Sequence, residues 1–128
     1  MKLNTGLVLI DTSAWIEFFR SQGDLAMRER IISLVRDGKA AWCEIIRLEL
    51  WNGASGQKEL HQLQQMESSA TLLPITSEVW SLADQLARSA RLKAKTIPTS
   101  DLLISACSRH YGVDLLHKDR HFEQLKAL

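Results

Sequence analysis

The sequence predicts an α/β chain, a three-layer sandwich around a central, mainly parallel sheet. Three observations carry that prediction. Short apolar runs, "LVLI" (7–10), "AAWC" (40–43), "ATLLPI" (70–75) and "VDLL" (113–116), recur along the chain. The stretches between them are longer and repeat apolar residues at helical spacing. Strands that alternate with helices pair in parallel, because each crossover returns the chain to the same edge of the sheet. No internal repeat, linker or low-complexity segment interrupts the pattern, so one domain is expected over residues 1–128.

Each element has its own justification. The run 7–10 is apolar without alternation, as in a strand buried on both faces. Thr12 or Ser13 can cap the helix "AWIEFFR" that follows. Leu25, Ile31, Ile32, Leu34 and Val35 suit the apolar face of a second helix, and Gly38 can end it. "AAWC" reads as a second strand and "EIIRLELWNG" as a helix stopping near Gly53. "QKELHQLQQMESS" is a more polar helix and "ATLLPI" a third strand. In "SEVWSLADQLARSARLK", Val79, Leu82, Ala83, Leu86 and Ala90 share one face. Pro98 is tolerated only at a helix edge, so "IPTSDLLISACSRHYG" restarts the pattern, with Thr99 or Ser100 as cap and Gly112 as stop. "VDLLHKD" supplies a fourth strand and "RHFEQLKAL" a terminal helix.

Composition excludes several classes. Hydrophobic residues make up 45% and charged residues 24%, as in globular proteins. No apolar run approaches the roughly 20 residues that span a bilayer, and "MKLNTG" lacks the apolar stretch and cleavage site of a leader. A cytoplasmic location follows as the expectation. Cys43 and Cys107 make no disulfide framework and fit buried thiols. With a net charge of +1, nucleic acid would have to be held by local clusters or a bound cation.

The acids are the informative residues. In open parallel sheets, ligands bind outside the carboxyl ends of the strands. Asp11 stands at the end of the first strand and Asp119 just past the last. Asp101 lies in the first turn of a helix able to face the same edge, and Glu49 on the helix after strand two. Gathered in one pocket, such carboxylates repel, and burial penalises each charge further. A hard divalent cation, Mg²⁺ or Mn²⁺, removes both costs and prefers oxygen ligands. Held there, it can activate water and neutralise a phosphodiester. Each acid also has a plainer reading. Asp11 can cap the first helix, and Asp101 can complement a helix dipole. Glu49 can be a solvated charge and Asp119 a loop acid.

The motifs, taken together, resemble the PIN-domain ribonucleases, and among them the VapC-type toxins of bacterial toxin–antitoxin pairs. "VLIDTSAWIEFF" resembles the family's opening strand with its first acid, Asp11. "RLELWNGA" resembles its Glu-Leu-x-x-Gly-Ala pattern, which carries Glu49. "IPTSDLLISACSRHYGVDLLHKDRHFEQL" resembles the stretch with the third and fourth acids, Asp101 and Asp119. Many relatives have an acid directly before the last Phe. Here His121 precedes Phe122, so Asp119 takes the fourth position with His121 as its competitor. The resemblance implies catalysis by Asp11, Glu49, Asp101 and Asp119, with Mg²⁺ or Mn²⁺ held by Asp11, Asp101 and Asp119. The hydroxyl after the first acid often supports the site in this family, so Thr12 or Ser13 can assist. It further implies cleavage of RNA by metal-activated water, a homodimer, and a VapB-like antitoxin that pushes a C-terminal segment toward the acids.

Other residues carry weaker signals. Cys107, His110, His117 and His121 have spacings that hint at zinc, although strand alternation would aim His117 and His121 apart. Arg88, Arg91, Lys93 and Lys95 precede the Asp101 helix, and Lys118 and Arg120 flank Asp119. Of these, Arg91, Lys95, Lys118 and Arg120 are the candidates for RNA phosphates; a solvated helix end is the plainer account. Trp15 and Trp51 follow the first two acids and can stack bases or, more simply, fill core. A receiver domain would need an Asp on "ATLLPI", which has none. The alternative function is a non-catalytic PIN-like module that binds RNA or protein.

Overall fold

Strand β1 (Val8–Ile10) runs down the middle of the sheet because both its faces are apolar, and all three residues are buried. The computed structural model describes residues 6–20 and 22–128, so the reading of residues 1–5 as leaderless lies outside the described part. After β1 come α1 (Thr12–Phe19), α2 (Leu25–Arg36), β2 (Ala40–Trp42), α3 (Glu44–Gly53), α4 (Gly56–Ser69) and β3 (Thr71–Leu72). The chain closes with α5 (Ser77–Leu92), α6 (Thr99–Tyr111), β4 (Asp114–Leu116) and α7 (Arg120–Lys126).

The strand order is β3-β2-β1-β4, and every neighbouring pair is parallel. The sheet is thus the expected α/β one, flanked by helices. From β1 the chain steps to β2 on one side, and it returns through α5 and α6 to place β4 on the other. The order therefore reverses between β1 and β4, and a crevice opens outside their carboxyl ends at such a point. Ile10 is in register with Leu116, and the Asp11 N–H donates to the Leu116 carbonyl at 2.9 Å. The residues leaving both strands consequently start side by side.

Aromatic packing anchors α1 on the sheet. Trp15 is fully buried, stacks on Phe19 at 6.1 Å and 17°, and meets Trp42 of β2 at 5.9 Å. It is core, not a base-stacking surface. Trp51 donates its indole N–H to Glu67 at 2.8 Å, while Trp80 is 54% exposed.

Three local expectations need correction. Of the two cap readings for α1, Asp11 holds and Thr12 or Ser13 does not, because the Asp11 carboxylate accepts the Ser13 N–H and Thr12 is already helical. Pro98, not Thr99 or Ser100, precedes α6, and no side chain caps that helix; a proline needs no donor there. On α2 only Ile31 is buried, and Leu25 and Ile32 are exposed. That helix meets chiefly α1 and β2, where Leu34 and Val35 join Ile31 in packing against the core, while Leu25 and Ile32 face away from it. Cys43 and Cys107 are buried and free, as expected. No helix among the described residues is long and apolar enough to cross a membrane.

Candidate metal centre

Asp11 leaves the buried β1 strand with nowhere to go but the crevice. It is 3% exposed. Its Oδ2 accepts the Ser13 N–H at 3.0 Å and the Ser13 hydroxyl at 2.6 Å. Burial raises its pKa, the Ser13 bonds oppose that rise, and the negative charge of Asp119 adds to it. Ser13 Oγ also accepts the backbone N–H of Lys118 at 2.9 Å, which ties α1 to the β4–α7 connection.

Thr12 uses its hydroxyl differently. It donates to Glu49 Oε1 at 2.9 Å, across from α1 to α3. Glu49 is held above its ordinary pKa by burial, with the Thr12 bond opposing and Asp11 adding repulsion. Both hydroxyls flanking Asp11 are therefore committed to acids.

The other half of the site comes from α6 and α7. Asp101 sits in the first turn of α6 and is 7% exposed. Its carboxyl is pushed up to about 7, by burial first, then by Asp119 and Asp11, with His121 opposing. Asp119 caps α7 by accepting the His121 N–H at Oδ1, 2.9 Å. Burial raises its pKa, yet that hydrogen bond, Asp101 and the His121 ring outweigh it, and Asp119 stays below its ordinary value. The two carboxyls thus titrate as a coupled pair, Asp101 shifted up and Asp119 down.

His121 completes the group. Its Nδ1 lies 2.8 Å from Asp119 Oδ1 and 3.3 Å from Asp101 Oδ2. Proximity is not bonding, however: Asp101 Oδ2 and His121 Nδ1 are both buried with no hydrogen-bond partner. Asp101, Asp119 and His121 each offer a ligand atom within 4.8 Å of the others. A buried carboxylate oxygen without a partner is costly. Clustered acids repelling across a small gap fit a divalent cation, which would satisfy both features.

The structure thus brings Asp101, Asp119 and His121 within ligand distance of one another. Asp11 is near enough to act on both carboxyls, and Glu49 near enough to feel Asp11, with Thr12 and Ser13 bonded to Glu49 and Asp11. His121, weighed only as the competitor of Asp119, stands beside it. The zinc set does not assemble. Cys107 is buried against the Leu73 carbonyl, and His110 packs edge-on against Tyr111 at 4.8 Å. The His117 ring faces Glu123. Among the basic candidates, Lys118 Nζ is engaged by Asp24 at 3.2 Å and Glu17 at 3.7 Å, and Lys95 Nζ donates to the Gln124 carbonyl at 3.3 Å. Arg91 and Arg120 are exposed. Sequence reasoning missed the Glu17–Asp24 anchor for Lys118, since nothing in its spacing announces a contact across 94 positions.

Three comparisons bear on this arrangement. The PIN domain family matches residues 8–128. A VapC ribonuclease of Mycobacterium bovis, Mb1587, is 31% identical over 126 residues, covering 95% of this chain and 93% of the relative. Among solved structures, DNA-bound VapBC from Salmonella typhimurium superposes with a TM-score of 0.78 at 16% identity, covering 93% of this chain and 92% of that one. VapBC2 from Rickettsia felis, bound to a promoter DNA fragment, gives 0.76 at 18% identity and 92% of each chain. The last two show the same fold. A family match from β1 to the final residue, joined to a relative alike along nearly its whole length, places this chain in the PIN-domain family.

Proposed function

We propose that this chain is a metal-dependent endoribonuclease, the toxin of a toxin–antitoxin pair, acting in the cytoplasm as one nuclease domain over residues 1–128. One observation carries the reading: Asp101 Oδ2 is buried without a partner in a cluster of acids. The name of the Mycobacterium bovis relative, a VapC ribonuclease, supports it. Asp11, Asp101 and Asp119 would hold Mg²⁺ or Mn²⁺, with His121 beside them. When bound, the cation supplies activated water and neutralises charge on the phosphodiester. Ser13 keeps the Asp11 carboxylate oriented. Glu49, raised in pKa by burial and held by Thr12, would take a proton from the attacking water. Exposed Arg91 and Arg120 are free to meet RNA phosphates, whereas Lys118 and Lys95 first serve the fold.

The partners follow from surfaces next to the site. A cavity of about 210 Å³ opens beside Thr12 and Glu49, walled by Ile16, Phe19, Leu50 and Leu63. It suits an apolar segment of a VapB-like antitoxin running toward the acids. A second apolar patch on Ile45, Leu48, Ile75 and Trp80 supports a homodimer, since apolar surface of this kind is usually covered.

The test is RNA hydrolysis by the purified protein. Cleavage should require Mg²⁺ or Mn²⁺ and stop in excess chelator. Undiminished cleavage in chelator overturns the mechanism, and no cleavage with either metal overturns the activity.

A further inference from the structure

We propose that His117 is a positioning residue that holds Asp119 in the acidic cluster through the Asp119 backbone. The inference rests on the reading of Asp119 as part of the metal centre. Only three residues, 117–119, connect β4 to α7, so the direction of the Asp119 carboxylate depends on how this short turn is fixed. Two backbone N–H groups in it are taken by side chains. That of Lys118 goes to Ser13 Oγ at 2.9 Å. That of Asp119 goes to His117 Nδ1 at 3.2 Å.

The second bond dictates the state of the ring. An Nδ1 that accepts must leave the proton on Nε2. Nε2 lies 3.3 Å from Glu123 Oε1 in the first turn of α7. The ring also packs on buried Phe122, with centroids 4.9 Å apart. The His117 side chain is 13% exposed. The Nδ1 acceptor and the stacking face are both used and Nε2 stands against a carboxylate, so the imidazole is held from three sides. It braces the turn from outside the acidic cluster, to which it contributes no ligand atom.

The contact has a known side-chain analogue. Asn and Asp bond the backbone two residues on and fix turns by doing so. His117 makes the same bond to residue 119 with Nδ1 in place of a carbonyl oxygen. An Asn at this position should therefore restore the brace, and an apolar residue should not. A merely space-filling role predicts the opposite, because Leu fills more of the ring's volume than Asn.

The experiment compares the unmodified chain with His117→Leu, His117→Ala and His117→Asn. Three readouts are taken: hydrogen exchange at the Asp119 amide in chelator, Mn²⁺ affinity by calorimetry, and single-turnover RNA cleavage. His117→Leu and His117→Ala should speed exchange at Asp119 and weaken Mn²⁺ about 10-fold, the usual effect of losing an outer-shell partner. Cleavage should lose rate at saturating RNA with little change in RNA affinity. His117→Asn should recover all three. Unchanged exchange and Mn²⁺ affinity in Leu and Ala, or an Asn variant as impaired as Leu, overturns the proposal. If Leu does not fold, the Ala and Asn pair decides it. Should the unmodified protein cleave no RNA, the nuclease reading fails alone, because exchange at Asp119 is measured without metal or substrate.

Discussion

Lys118 and Ser13 are 105 positions apart, yet the backbone N–H of Lys118 donates to Ser13 Oγ at 2.9 Å. The same hydroxyl donates to Asp11 at 2.6 Å, so one oxygen ties the exits of β1 and β4. Ser13→Ala removes both bonds. It should cost about 1–2 kcal/mol of stability and weaken Mn²⁺ binding about 10-fold, with Ser13→Thr close to normal. Calorimetry and thermal melts of both variants check this. An Ala variant that binds Mn²⁺ normally would show that Asp11 orients itself.

The acids should make the metal-free protein less stable as pH rises. The Asp101 carboxyl ionises near 7 in the fold against 3.8 as the ordinary value. Between those values the folded state binds more protons than the unfolded chain, so unfolding free energy falls with rising pH. Asp11 and Glu49 shift in the same direction. Melting temperature in chelator should drop between about pH 4 and pH 7 and level off beyond, and Asp101→Asn should flatten that slope. Saturating Mn²⁺ should reverse it, because ionised ligands are then favoured. A melting temperature that rises with pH in chelator would contradict the repulsive cluster.

Much of this was legible in the sequence, for physical reasons. Short apolar runs without alternation favour strands buried on both faces, and β1 and β2, buried throughout, were placed within a residue; the run 70–75 yields only the two exposed residues of β3. Asp11 follows β1 directly and Asp119 ends the three-residue turn after β4, so the carboxyl-end rule pointed to both. Glu49 is harder, because a mid-helix acid looks the same whether solvated or bonded; only the Thr12 contact, 37 positions away, distinguishes them. At α1 the sequence left two cap readings open, Asp11 and Thr12 or Ser13, because Asp11 serves two roles, cap and cluster acid; Asp11 is the cap. Exposure of Leu25 and Ile32 was not visible, since periodicity gives the apolar face of a helix and not the width of the surface that meets it. The orientation of His117 depends on Glu123 and Phe122 meeting it in space.

Core and surface tryptophans should respond differently. Trp15 is fully buried among Phe18, Phe19 and Trp42. Trp15→Ala should cost about 3–5 kcal/mol and lose folded protein generally. Trp80→Ser, at an exposed position, should change stability by less than about 0.5 kcal/mol while reducing dimer in sedimentation. Denaturant melts and sedimentation velocity separate the two. A dimer unaffected by Trp80→Ser would move the interface away from the α3–α5 patch.

The fourth ligand position decides how this chain differs from relatives with an acid before the last Phe. Asp119 Oδ1 and His121 Nδ1 are 2.8 Å apart, so both reach the same space. Mg²⁺ favours oxygen, and imidazole suits softer transition metals. Asp119→Asn keeps an oxygen able to cap α7 while removing the charge, so the fold should hold. Cleavage at saturating Mg²⁺ should nevertheless fall more than about 10-fold, beyond the loss of an outer-shell partner. Asp101→Asn should be at least as damaging, since that carboxylate is the more buried and has an oxygen without a partner. His121→Ala should cost less, about 10-fold, because the ring acts on Asp101 and Asp119 chiefly by lowering their pKa values. That variant should therefore recover part of its activity as pH is raised, when Asp101 ionises without help. Single-turnover cleavage across pH, with both metals, tests the assignment. An inactive His121→Ala beside an active Asp119→Asn would make the imidazole the ligand, and activity should then favour Mn²⁺ over Mg²⁺.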